Sequence, residues 1–168
     1  MDVEELYRRY AAGERDFPGV DLSGANFNLA KVTHPEELEP GQNELSGINL
    51  SGANLTRANL TCVNLSGANL SSANLECAEL SCTVLTGANL RKAILDCAQM
   101  GCDLIDVDLR EASIWSTVLI GTNLTRANLK GARFQVGTEE SGITFCDTIM
   151  PDGTINSKKW PEKNRFNY

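Results

Sequence analysis

At 168 residues the chain fits a single domain. Apolar residues make up 42% of it but aromatic ones only 6%, so any core has to be assembled from small and aliphatic side chains. The net charge of −7 disfavours direct binding of nucleic acid, no run approaches the roughly 18 apolar residues of a membrane span, and six cysteines are too sparse for a disulfide scaffold.

The opening segment carries Asp2, Glu4 and Glu5, unlike the basic and then apolar start of a secretory signal. A cytoplasmic location is expected, where thiols stay reduced. Asp2 and Glu5 have capping-box spacing, and Val3, Leu6, Tyr7, Tyr10 and Ala11 repeat at i, i+3, i+4, i+7 and i+8. Gly13 and then Pro18 supply a stop. Residues 1–18 therefore read as a short helical cap.

From residue 19 to 150 a period of five takes over. Every fifth residue from Leu45 to Met100 is Leu or Met, usually preceded by Asn, with Ala or another small or β-branched residue one place earlier. The centres then slip by one residue, from Met100 to Leu104, and continue through Leu109, Ile114, Leu119, Leu124, Leu129 and Phe134. Leu22, Phe27 and Val32 form an earlier run, and Phe145 and Met150 a last pair. A period of five is neither helical nor simply extended. Two residues spaced by two on an extended segment share one face, so the small residue and the Leu both point inward, and the rest must turn a corner. Glycine at the second corner position (Gly24, Gly47, Gly52, Gly67, Gly87) suits a positive φ. Arg57, Cys62, Ser72, Cys77 and Lys92 hold the same slot, which predicts a mixture of two turn types.

Thirteen residues separate Val32 from Leu45, so an insert lies at 33–44; it contains His34, Glu36, Glu37 and Glu39. It reads either as a functional loop on a rigid scaffold or as a tolerated insertion. Residues 151–168 form a tail with Lys158, Lys159, Trp160, Phe166 and Tyr168.

SGANL at 66–70, TGANL at 86–90, and TRANL at 56–60 and 125–129 resemble the A-(N/D)-L-x-x units of the pentapeptide-repeat family. With the opening helix and the Met150–Thr154 exit, they look most like cyanobacterial members. The resemblance implies an all-β solenoid: a right-handed quadrilateral β-helix (the repeated-five-residues fold), four pentads to a coil. It also implies action through protein–protein contact, with homodimerisation through the C-terminal end as a family habit. Some members mimic duplex DNA and bind DNA gyrase. Here residues 46–134 carry seven basic and seven acidic side chains, which argues against a continuous anionic surface.

No catalytic, cofactor-binding or metal-binding residues stand out. His34 is the lone histidine, C-x-x-C is absent, and no phosphate-binding glycine loop is present. Asp103, Asp106 and Asp108 cluster beside the slip, as a weak cation site or as solvated surface. The expected activity is non-enzymatic: a binding or scaffold protein with an unidentified protein partner, neither nucleic acid nor membrane. Gyrase modulation and redox sensing are the alternatives. The candidate interaction surface is the insert (His34, Glu36, Glu37, Glu39) together with outward departures from the repeat, Val84, Ile94 and Trp115. Trp115 reads as an interface anchor or as packing against the slip. Cys62, Cys82 and Cys102 recur at twenty residues, as do Cys77 and Cys97, so each set stacks on one face if four pentads make a coil. Cys77 and Cys97 are the candidate redox pair, against a reading as small stacked residues.

Overall fold

The unit that repeats is half extended and half turn. In Ser66–Leu70, Ala68 and Leu70 are fully buried and Asn69 between them faces outward. The preceding corner closes with a bond from the Ala68 N–H to the Leu65 carbonyl (3.0 Å), and Gly67 sits at φ +66°. A positive φ at the third residue of a four-residue turn is the type II signature. The same conformation recurs where glycine is absent, with φ of 57° at Arg57, 57° at Ser72, 56° at Cys77 and 60° at Lys92. The expected mixture of two turn types is therefore corrected. Each described two-residue corner takes a left-handed residue, because only that backbone brings the next small residue back inward.

The computed structural model describes residues 1–28, 43–134 and 142–157. Within them, successive rungs pair in parallel with partners twenty residues apart: Asn49 with Asn69, Asn54 with Asn74, Asn59 with Glu79, Asn64 with Val84. Those four pairs lie in four columns, which continue as Asn69–Asn89, Asn74–Ile94, Glu79–Gln99 and Val84–Asp103. Most pairing is by single bridges. Among the described residues only β1 (Asn43–Glu44) with β2 (Val63–Asn64) and β3 (Ser113–Ile114) with β4 (Arg133–Phe134) reach two residues in parallel, since three extended residues leave no room for a longer strand. The architecture is a solenoid-like repeat stack with one N-terminal helix.

The core is a single contiguous column of Leu and Ala, with Thr83, Thr117, Thr122 and Thr148 at inward positions. Each threonine hydroxyl donates to a carbonyl one rung below, as Thr83 does to Leu60 at 2.7 Å and Thr117 to Leu95 at 2.8 Å. A buried hydroxyl without such a partner would be costly.

Irregularities in the ladder mark where length changes. Val84 pairs with Asp103, nineteen residues on, because the corner at Gly101 has lost a residue and Cys102 takes the inward place. Asn123 pairs with Thr144 at twenty-one. At the start, Asp16 pairs with Asn49 and Asn26 with Asn59, thirty-three apart, so the added length falls between Phe27 and Leu45. Val32 lies outside the described residues. Phe17, whose N–H donates to the Asn49 carbonyl at 2.8 Å, occupies an inward position that the periodicity did not reveal.

Helix α1 (Val3–Ala11) caps the first rungs. Asp2 accepts from the Glu5 N–H at 2.8 Å, Gly13 terminates the helix at φ +97°, and Val3 and Leu6 are buried. The Tyr7 hydroxyl donates to the Phe27 carbonyl (3.1 Å) and that of Tyr10 to the Ser46 carbonyl (2.8 Å). At the other end, β5 (Thr148–Ile149) turns through Pro151–Gly153 into antiparallel β6 (Ile155–Asn156).

Candidate interaction surface

The outward Asn has two tasks, and they define what a departure loses. The Asn69 Oδ1 accepts from the Ser71 N–H at 3.2 Å, holding the corner, while its Nδ2 donates to Asn49 Oδ1 one rung away at 3.1 Å. Asn89 repeats this with Arg91 N–H (3.1 Å) and Asn69 (3.2 Å). Such a ladder satisfies the amide along the stack and leaves a polar, non-sticky face.

Val84 and Ile94 replace that amide with hydrocarbon. Val84 is half-buried between Asn64 and Asp103, whereas Ile94 is exposed beside Ser113. Trp115 lies at the corner one rung beyond Ile94; its N–H donates to Asp96 Oδ1 at 2.9 Å. The Arg133 guanidinium lies 5.9 Å from the centre of its ring, a cation–π contact. The indole is 48% exposed, and Val118 (45%), Ile120 (55%) and Ile94 (40%) are similarly open. Ile94 and Val118 stand in adjacent columns on successive rungs, with Trp115 at the corner between them and Ile120 beginning the next corner. The register thus brings Ile94 and Trp115 into one apolar strip that wraps a corner from the Ile94 column to the Val118 column, and leaves Val84 in the next column, two rungs away. Val118 and Ile120 were missed, although Val118 fills an Asn/Asp slot and the same test of departures would have found it.

Some of the charged side chains are paired with one another. Arg126 pairs with Asp106 at 2.6 Å one rung away, Arg110 with Asp108 at 2.6 Å, and Glu111 with Arg91 (2.6 Å) and Lys92 (3.7 Å). Hydrogen bonding to the facing arginine holds the Asp106, Asp108 and Glu111 carboxyls below their ordinary range. Two members of the Asp103–Asp106–Asp108 cluster are thus arginine partners, and no group of three or more His, Cys, Asp or Glu side chains poised for a metal occurs among the described residues.

Cys77 and Cys97 are exposed and stacked at the same corner slot. Local desolvation by neighbouring groups, and then the adjacent Cys77 thiol, raise the Cys97 thiol above its ordinary value. Cys102 is buried, and desolvation pushes it up to about 12. His34, Glu36, Glu37 and Glu39 lie outside the described residues, as does the C-terminal segment from residue 158 on which the expected dimer contact would depend. No helix among the described residues is long and apolar enough to cross a membrane.

A stack of five-residue units, single-bridge columns and a polar amide ladder defines a solenoid-like repeat protein. The pentapeptide-repeat family model matches residues 44–76, 68–101 and 102–135 in eight copies, over half of the chain, and the chain belongs to that family. No curated protein matches it. Among solved structures it is similar to the pentapeptide-repeat protein Rfr23 from the cyanobacterium Cyanothece 51142, with 30% identity over 82% of this chain and 95% of that one (TM-score 0.26). It is also similar to HetL, involved in heterocyst differentiation regulation in the cyanobacterium Nostoc sp. strain PCC 7120 (24% identity, 93% and 100% covered, TM-score 0.29). A third is QnrB1, a plasmid-mediated fluoroquinolone resistance protein (19% identity, 84% and 74% covered, TM-score 0.30).

Proposed function

We propose that the chain forms a right-handed, four-sided β-helical rod that acts without catalysis, as a binding or scaffold protein engaging another protein through its outer surface. Four bridge columns support the four sides, and the strong right-handed preference of parallel β crossovers supports the hand. The observation that carries the functional reading is the exposed strip of Ile94, Trp115, Val118 and Ile120, on a rod whose other outward positions are mostly Asn, Ser, Thr and paired charges. A Trp with aliphatic neighbours and an adjacent Arg has the make-up of an interface centre. The acidic insert, with His34, Glu36, Glu37 and Glu39, is proposed as a second contact.

Gyrase modulation by DNA mimicry is weaker, because residues 46–134 carry equal numbers of acidic and basic side chains, and Asp106, Asp108 and Glu111 are paired with Arg126, Arg110 and Arg91. Affinity capture from a lysate of the source cell tests the reading with the native chain, a Trp115→Ala/Ile120→Ser variant, and a Glu36/Glu37/Glu39→Ala variant. A partner held through the strip should bind the first variant with a loss of about 2 kcal/mol or more. Retention by both variants at native affinity would remove both contacts from consideration. Failure of the native chain to hold anything would sink the binding reading itself.

A further inference from the structure

We propose that Cys77 and Cys97 form a two-coordinate site for a soft monovalent cation, copper(I), held between stacked thiolates on the outside of the rod. Both residues occupy the second corner position, at φ 56° and 60°. Both donate their backbone N–H one rung onward, Cys77 to the Asp96 carbonyl at 2.9 Å and Cys97 to the Trp115 carbonyl at 3.0 Å. Matching backbone conformations on adjacent rungs set the two Cα–Cβ bonds parallel, one rung spacing of about 4.8 Å apart. A relaxed disulfide needs its Cβ atoms at about 3.8 Å, closer than Cβ atoms set one rung apart. A metal ion bridging the gap fits better. Two metal–sulfur bonds of about 2.3 Å laid end to end span about 4.6 Å, close to the rung spacing.

The coordination number selects the ion. Zinc wants four ligands, and no third or fourth His, Cys, Asp or Glu is placed to complete such a site among the described residues. Thiolates without further donors suit copper(I). The site is open to solvent, and the carboxylates of Glu76 and Asp96 stand next to the thiols in sequence and bear on Cys97 electrostatically. Binding replaces two S–H bonds with two S–Cu bonds and releases two protons, with no change of oxidation state. Below the thiol titration range the affinity should rise by about 100-fold per pH unit, because two protons leave for each ion bound.

The test uses the full chain, fully reduced and under anaerobic conditions, titrated with copper(I) against a competing chelator. Stoichiometry is read from the sulfur-to-copper charge-transfer band, and coordination from copper X-ray absorption. Cys77→Ser and Cys97→Ser should each remove one equivalent of copper, with a loss exceeding the roughly 10–100-fold typical of an outer-shell change. Cys146→Ser should not, and zinc should not replace copper at this equivalent. Both variants should keep the native thermal melt, since Ser72 and Ser116 already hold the same slot at φ 57° and 53°. Full copper binding by Cys97→Ser would overturn the proposal. So would a shell of more than two sulfurs, or quantitative recovery of a Cys77–Cys97 disulfide after mild oxidation.

Discussion

The corner residue is where this sequence accepts local strain. Among the described residues, twelve non-glycine side chains sit at positive φ, a region that only a few per cent of L-residues adopt. The five-residue period demands that conformation whatever side chain is present, so glycine and non-glycine corners should differ in energy and not in shape. Gly67→Ala meets no atom within 4 Å, which leaves the backbone term alone. It should destabilise the protein by about 1 kcal/mol, measured by urea denaturation. Ser72→Gly should leave stability within about 0.5 kcal/mol, relief of strain being offset by the lost chain entropy of glycine. At the inward positions, Thr83→Val preserves volume and removes the bond to Leu60. That carbonyl still accepts from the Val63 N–H at 3.1 Å, so the cost should be modest, about 0.5–1 kcal/mol.

At the scale of elements, α1 is held by Leu6 and Val3 beneath it and by two tyrosine hydroxyls reaching rung carbonyls. Leu6→Ala should cost about 2–5 kcal/mol by leaving a cavity under the helix. The uncapped first rung would present unpaired backbone, so the same variant should also self-associate in sedimentation experiments. Desolvation, and then the charge of Glu44, raise the Tyr7 phenol well above its ordinary value. A phenol whose folded pKa exceeds its unfolded one contributes stability that is present in full below the unfolded value. That stability is lost as pH rises through the interval between the two. The cap should therefore weaken above about pH 10, and Tyr7→Phe should abolish that part of the pH dependence in thermal melts.

The whole molecule is a sum of neighbouring rungs, and this governs both its tolerance and its pH response. Deleting residues 66–85 joins Leu65 to Thr86 and keeps each downstream residue in its column. The product should unfold cooperatively, with a urea m-value reduced in proportion to the surface removed. An unfolded product would mean that rungs depend on more than their neighbours. On the acid side, arginine partners lower the Asp106, Asp108 and Glu111 carboxyls. A depressed carboxyl contributes stability above its unfolded pKa and loses it as pH falls through the folded one. The melting temperature should begin to decline below about pH 4, by a small and salt-sensitive amount because the pairs are largely exposed.

The period of five, the inward Leu and Ala, the one-residue slip at Met100–Leu104 and the capping helix were all legible in the residue order. Each is a local demand: a side chain either alternates inward or it does not, and Asp2 sits three residues from Glu5 whatever the chain later meets. Phe17 escaped because one isolated pentad next to a helix has no neighbour in sequence to mark its phase. The uniform left-handed corner escaped because Arg57 or Cys77 in the glycine slot looks like permission for another turn, whereas the closing of each rung onto the next overrides that preference. Ile94 and Trp115 stood out in the sequence as departures from the repeat. That they join Val118 and Ile120 in one strip, while Val84 lies apart, is a property of columns twenty and nineteen residues deep. Only the tertiary stack decides it, because contact between rungs depends on how many residues each coil consumes, and a single lost residue at Gly101 re-aims everything after it.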